Sequence, residues 1–232
     1  MQGPVYPMRI NKYLAYMKLA TRREADTYIA AGKVTINGRV AVLGDKVTEA
    51  DVVELHSAKR SYRYFAFNKP RGVVTHSPQE YERDIREEAG IEGVFPIGRL
   101  DKESHGLIIL TDDGRITDRL LNPDFEHDKE YKVKVREELT PDFAEKMSAG
   151  LDIGGYTTKP CIIDELGPNT FLITLTEGKK HQIRRMCEAV QRTVLDLERV
   201  RVMNIKLGAL PIGKTRPIEG QELKKFLSLL GF

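Results

Sequence analysis

The sequence predicts an α+β protein in two parts: a small module over residues 8–56 and a larger, strand-rich domain over 64–232, joined by a linker at 57–63. Three observations lead there. Helical periodicity is confined to short segments, and the strand patterns between them lack the regular strand–helix alternation of a parallel α/β sheet. The stretch from His56 to Arg63, HSAKRSYR, is polar and basic and divides the chain. Charge divides at the same place: residues 1–63 hold 11 Lys and Arg against 6 Asp and Glu, and the other 169 hold 26 against 28. A basic module on a near-neutral body suits a polyanionic partner.

Composition excludes several classes. With 41% hydrophobic and 31% charged residues, the 232-residue chain reads as soluble and folded. No apolar run approaches the ~18 residues of a membrane helix. The opening MQGPVYPMRI lacks the basic-then-apolar pattern of a secretory leader. Cys161 and Cys187 are the two cysteines, with no CxxC, which argues against disulfide scaffolds and zinc ribbons. Both are expected as small core residues in a reducing, cytoplasmic setting. No glycine-rich dinucleotide fingerprint is present, so no nucleotide cofactor is expected. The absence of a coiled-coil stripe favours a monomer.

In the module, Ile10, Tyr13, Leu14 and Met17 recur at helical spacing and predict a first helix with these four on its inner face. Thr21-Arg22-Arg23-Glu24 is a capping box opening a second helix, and Gly32 suits its C′ position. Arg22 and Arg23 lie in its first turn, where free amides already favour an anion. Val34-Thr35-Ile36, Asn37-Gly38 and Arg39–Val42 read as a hairpin, and Val52–Leu55 as a further strand.

In the larger domain, Tyr64–Phe67 begins a strand broken at Asn68-Lys69-Pro70-Arg71-Gly72, and residues 76–93 read as a surface loop or short helix. The segment FPIGRLDKESHGLIILTDDG, Phe95–Gly114, places Asp101 between cations in a loop before a core strand. Positive neighbours keep such a carboxylate ionised, fit to act as nucleophile, base or metal ligand. A short helix follows with Ile116, Leu120 and Leu121 inward, then a strand with Tyr131, Val133 and Val135 on one face. Thr140-Pro141 is an N-cap and N1 pair for a helix ending at Gly150. Strands are expected near 161–164, 171–176 and 197–203, and a last helix from Glu222 to Leu230. The segment EGKKHQIRRMC gives a helix with Ile183, Met186, Cys187 and Val190 buried and His181, Arg184, Arg185 and Glu188 opposite.

These motifs carry a resemblance. Gly98-Arg99-Leu100-Asp101, Asn68-Lys69-Pro70-Arg71-Gly72, Lys129-Glu130-Tyr131 and Gly-Lys-Lys-His-Gln-Ile-Arg-Arg-Met resemble, in order, the motifs of the RsuA-type pseudouridine synthases. FPIGRLDKES, HDKEY, MSAG and QIRRMCE are most similar to the RluF-like branch, which acts on large-subunit ribosomal RNA. Residues 8–55 resemble the ribosomal-protein-type, or alpha-L, RNA-binding module.

The resemblance implies a mixed, mainly antiparallel sheet in the catalytic domain and isomerisation of uridine to pseudouridine in RNA without a cofactor. It makes Asp101 the catalytic carboxylate, Arg184 its pairing cation and Tyr131 the side chain stacked on the base. Arg9, Lys12, Arg22, Arg23 and Lys33 become the module's RNA contacts. Lys69, Arg99, Lys179, Lys180, His181, Gln182 and Arg185 become those of the catalytic domain, although Lys69 also suits a structural role in the turn or support for the Asp101 loop. Small-subunit ribosomal RNA or transfer RNA are alternative substrates. Outside the synthase class stand a non-catalytic RNA-binding or ribosome-assembly protein and a metal-dependent phosphodiester hydrolase using Asp101 with Asp112 and Asp113.

Overall fold

The structure is a computed structural model that describes residues 4–57 and 60–232. Ala58 and Lys59 of the expected linker, and the first three residues of the expected leader-free N-terminus, lie outside the described residues. The chain divides into two compact units. One runs to Tyr62 and takes in Asp113–Thr117 and Phe232; the other is Arg63–Asp112 with Asp118–Gly231.

The first unit contains β1 (Met8–Arg9), α1 (Ile10–Tyr16), α2 (Arg22–Ala30), β2 (Val34–Ile36), β3 (Arg39–Val40), β4 (Lys46–Val47) and β5 (Val53–Leu55). Thr21 and Glu24 form the capping box as spaced. Gly32, at φ +68°, closes α2 with its amide on the Ile29 carbonyl and that of Lys33 on Tyr28, a Schellman ending. Asn37 and Gly38, both at positive φ, turn β2 into β3 as a two-residue hairpin requires. The core gathers Ile10, Leu14, Ala25, Ile29, Val34, Ile36 and Val47. Met17 departs from expectation: α1 ends at Tyr16, so Met17 leaves the helical stripe and is 47% exposed.

The second unit continues with β6 (Tyr64–Lys69), β7 (Val73–Val74), β8 (Arg83–Asp84), α3 (Ile85–Ala89), β9 (Phe95–Ile97), β10 (His105–Thr111), α4 (Ile116–Leu121) and β11 (Lys129–Val135). Then come α5 (Phe143–Ser148), β12 (Ile162–Gly167), β13 (Thr170–Leu175), α6 (Gln182–Ala189), β14 (Val194–Val202), β15 (Ile205–Lys206), β16 (Thr215–Pro217) and α7 (Gly220–Leu229). Its main sheet runs β12-β13-β11-β14-β10-β6-β16, with β15 on β14 and β9 on β10. Every pairing in it is antiparallel except β10 with β14, which meet through His105↔Glu198 and Gly106↔Arg199 alone. That is the mixed, mainly antiparallel architecture the motifs imply.

On one side of the sheet, Val133, Val135, Phe171 and Ile173 pack with Phe143 and Met147 of α5 and Ile183, Met186 and Cys187 of α6. Phe143 and Phe171 meet edge to face, 4.9 Å between centroids. Phe67, Ile108 and Leu110 form a second core with Ile85 and Val94. Both cysteines are unpaired, and burial pushes the thiols up to about 11 at Cys161 and about 12 at Cys187. They are packing groups rather than nucleophiles.

Two details differ from the sequence reading. Leu121 is 41% exposed, because α4 ends there. The helix expected at Thr140-Pro141 starts at Phe143 with Asp142 as N-cap, since the Phe143 amide turns back onto the Thr140 carbonyl first. Among the described residues no helix is long and apolar enough to cross a membrane.

Candidate active site

A cavity of about 780 Å³ opens in the second unit, within the usual range of ligand sites. Its wall draws on the loop after β9, strands β11 and β14, and the turn into α6; Asp101, Lys129, Tyr131, Arg199, Lys180 and His181 are among its lining.

The Asp101 loop is held from several directions. Gly98 turns it at φ +81°. The Thr75 hydroxyl, nearly buried, donates to the Leu100 carbonyl at 2.8 Å and accepts from the Leu100 amide at 3.3 Å, clamping the peptide beside Asp101. The Asp101 carbonyl accepts from the Ser104 amide at 3.0 Å, and the Lys102 carbonyl from the Gly72 amide at 2.8 Å. The Asp101 side chain is left 37% exposed, with His181 Nε2 3.6 Å from Oδ1. His181 itself stands at φ +54°, the left-handed cap before α6.

Lys69 corrects an expectation. Of its two readings the RNA contact gives way to the structural one, since the side chain is fully buried. Its ammonium donates to the carbonyls of Ser104 (2.8 Å) and Pro70 (2.9 Å), with that of Lys102 at 3.5 Å. It is an internal strut beneath the Asp101 loop. Burial is the largest influence on it and lowers its pKa to about 8; the charges of Glu103 and Asp101 oppose this, and Arg199 adds to it. Lys69→Met is expected to cost ~1–3 kcal/mol by orphaning those carbonyls, measured by urea unfolding near pH 7. The pH dependence has a definite sign. The folded pKa lies below the ordinary 10.5, so between about 8 and 10.5 the unfolded state holds the extra proton. Wild-type stability relative to the variant therefore rises with pH through that window.

Arg184 is a second correction. It makes no ion pair with Asp101; its Nη2 lies 3.5 Å from the Glu103 carbonyl and from Ser104 Oγ. The helix delivers it to the backbone just past Asp101, so it props the loop from outside. Gln182 is a third: 4% exposed, it donates to Glu177 at 2.7 Å and accepts from the Lys179 amide at 2.8 Å, so its polar atoms are spent internally. Arg185 reaches the Gly154 carbonyl at 3.3 Å and is not part of the cavity lining. Arg99, Lys179 and Lys180 line the cavity as exposed cations.

Tyr131 lines the cavity from β11, at a register shift between Glu130 and Tyr131 where β14 carries an extra residue. Such a bulge re-aims a side chain. Tyr131 stands across from Arg199, which is 4% exposed and donates from Nε to the Leu107 carbonyl (2.7 Å) and from Nη1 to the Arg99 carbonyl (3.3 Å). Thr75, Lys129, Glu177 and Arg199 escaped the sequence reading. Lys129 and Glu177 lay inside the motifs quoted above, and Arg199 carried a signal as an arginine inside a strand pattern. Glu177 accepts from Tyr156, the Lys159 amide (2.9 Å) and Gln182, which fixes the turn that presents His181.

In the first unit Arg9, Lys12, Arg22, Arg23 and Lys33 are all exposed. Among the described residues none of the five enters an ion pair, whereas Arg39 is held by Asp45 at 2.9 Å.

A carboxylate loop and a tyrosine lining one cavity with several cations, in a chain that also carries a basic module, suit an enzyme whose substrate is a polyanion. Two family models match: the RNA pseudouridylate synthase model over residues 63–189 and the S4 domain model over residues 8–53. The chain belongs to the RNA pseudouridylate synthase family. It is 40% identical to the dual-specificity RNA pseudouridine synthase RluF of Escherichia coli strain K12, over 98% of this chain and 81% of that one. It is 33% identical to the ribosomal large subunit pseudouridine synthase B of Bacillus subtilis strain 168, over 95% and 96%. A crystal structure of a pseudouridylate synthase superposes with a TM-score of 0.69 at 26% identity, covering 96% of this chain and 99% of that one.

Proposed function

We propose that this RNA pseudouridine synthase acts on a uridine of large-subunit ribosomal RNA, as a cytoplasmic monomer, with Asp101 as its catalytic carboxylate. The observation that carries the reading is the partly exposed Asp101 carboxylate, which lines the same cavity as Tyr131. Isomerisation breaks the bond from ribose C1′ to N1 and forms one from C1′ to C5; C5 loses a proton, N1 gains one, and no net oxidation occurs. Asp101 acts on the ribose, by attack at C1′ or removal of the C2′ proton. The glycosidic carbon has to reach it, so the uridine leaves the RNA stack and its base lies against the Tyr131 ring. His181 stands beside the carboxylate, its Nε2 3.6 Å from Oδ1, while Lys69 and Arg184 steady its loop. The exposed cations of the first unit, led by Arg22 and Arg23 at the N-terminus of α2, hold phosphates without reading sequence.

The test uses unmodified large-subunit ribosomal RNA tritiated at uracil C5, in chelator and without cofactor. Release of tritium to water is expected. Absence of release, with release instead from small-subunit or transfer RNA, would move the substrate assignment and leave the chemistry standing. The dual-specificity name of the Escherichia coli relative supports testing transfer RNA alongside even when the first result is positive.

A further inference from the structure

Among the described residues, two cations at the cavity wall, Lys129 and Arg199, enter no ion pair. Lys129 and Tyr131 are two apart on β11 and share a face, and Tyr131 pairs with Arg199 on β14. All three line the cavity. The acids nearest in sequence are already taken: Arg201 binds Asp128 at 2.5 Å and Glu130 at 3.4 Å. Within the cavity, Glu177 is consumed by its three donors and Asp101 faces His181. Lys129 spends one ammonium hydrogen on the His127 carbonyl at 2.9 Å. Among the described residues Arg199 Nη2 has no hydrogen-bond partner, while Nε and Nη1 are tied to backbone. Cations sequestered from water are ordinarily paired. Burial first, then the Arg199 charge, lowers the Lys129 pKa to about 8, with the Asp128 charge opposing.

We infer that Lys129, backed by Arg199, is a catalytic electrostatic group that stabilises the uracil anion as it detaches from the ribose. The inference rests on the proposed seat of the base against Tyr131. When N1–C1′ breaks, its electron pair leaves with N1 and spreads over N1, O2 and O4. By either route at the ribose, this negative charge develops beside Lys129. Fixed positive charge aimed at a developing anion lowers the barrier more than it aids ground-state binding. C5 then attacks C1′, its proton departs and N1 is reprotonated, so the cations are unchanged at the end.

The test compares wild type, Lys129→Met and Lys129→Arg on whichever RNA the wild type converts. That RNA is prepared once with uridine and once with 5-fluorouridine at the target. Fluorine withdraws electrons and makes the departing base a more stable anion. The readout is single-turnover loss of the N1-linked nucleoside after nuclease digestion, with RNA affinity and melting temperature in parallel. On uridine, Lys129→Met is expected to slow the step by ~10²–10³-fold, with affinity and melting near wild type, and Lys129→Arg to recover much of the rate. On 5-fluorouridine the Met defect is expected to shrink by roughly tenfold or more, because less stabilisation is needed. An equal defect on both substrates, or none on uridine, would overturn the inference. A wild type that converts uridine in none of the three RNA classes would instead overturn the proposed function, and the inference with it.

Discussion

Replacing Asp101 by Asn is expected to remove turnover, by on the order of 10⁴-fold or more, while RNA affinity and melting temperature stay close to wild type. The amide keeps the shape of the side chain but cannot serve as nucleophile or base at neutral pH. The loop does not depend on the carboxylate for its form. Its backbone is fixed by Thr75 on Leu100, by the Ser104 amide on the Asp101 carbonyl and by the Lys69 ammonium on the Ser104 carbonyl. The carboxylate's one ion pair, to a half-exposed His181 at 3.6 Å, adds little to stability. Activity and stability are therefore separable here. Single-turnover tritium release beside a thermal melt checks both, and turnover above about one hundredth of wild type would remove Asp101 from the centre of the scheme.

Gly106→Ala is expected to fail the other way, by losing the fold. Gly106 sits at φ +104°, and a Cβ there would lie 2.4 Å from the Arg199 carbonyl oxygen and 2.7 Å from its nitrogen. Backbone on both sides leaves nothing flexible to yield. The sole parallel contact of the main sheet, with Glu198 and Arg199 beside His105 and Gly106, would have to separate. A loss of ~4 kcal/mol or more follows, enough to leave much of a marginally stable domain unfolded. Gly155→Ala is the control: also at positive φ, but with nothing within 4 Å of an added Cβ, it is expected to cost only ~1 kcal/mol. Urea unfolding of the two variants makes the comparison.

The parts of this molecule written in local pattern could be read from the sequence. The capping box at Thr21, the Asn37-Gly38 turn and the β10 strand each depend on residues within a few positions. Asp101 and Tyr131 were placed by motif, and both line one cavity. Lys69 carried two readings, an RNA contact and a support for the turn or the Asp101 loop, and local pattern could not choose between them, because a lysine is exposed by default. Its burial depends on carbonyls at Lys102 and Ser104, more than thirty positions away, which no local pattern reveals. Gln182 went astray for a related reason: Glu177 draws it inward. For Arg184 the helix face was right, yet the guanidinium stops at the Glu103 carbonyl rather than the Asp101 carboxylate. Arg199 makes its meaning across strands, with Tyr131 on one side and Gly106 on the other, and strand neighbours cannot be read from spacing.

The narrow meeting of β10 with β14 also has a consequence for how the protein comes into being. The Asp101 loop needs Arg199 beneath the Arg99 carbonyl and His181 beside the carboxylate, both contributed 80 to 100 positions later in the chain. On the ribosome, at ~5–20 residues per second, the loop emerges seconds before either of them. Pairing across so long an interval is slow to form. The basic module thus leaves the ribosome while the Asp101 carboxylate is still unsupported. On the proposed function, binding competence precedes chemical competence during synthesis, and a product truncated before β14 is expected to occupy RNA without modifying it.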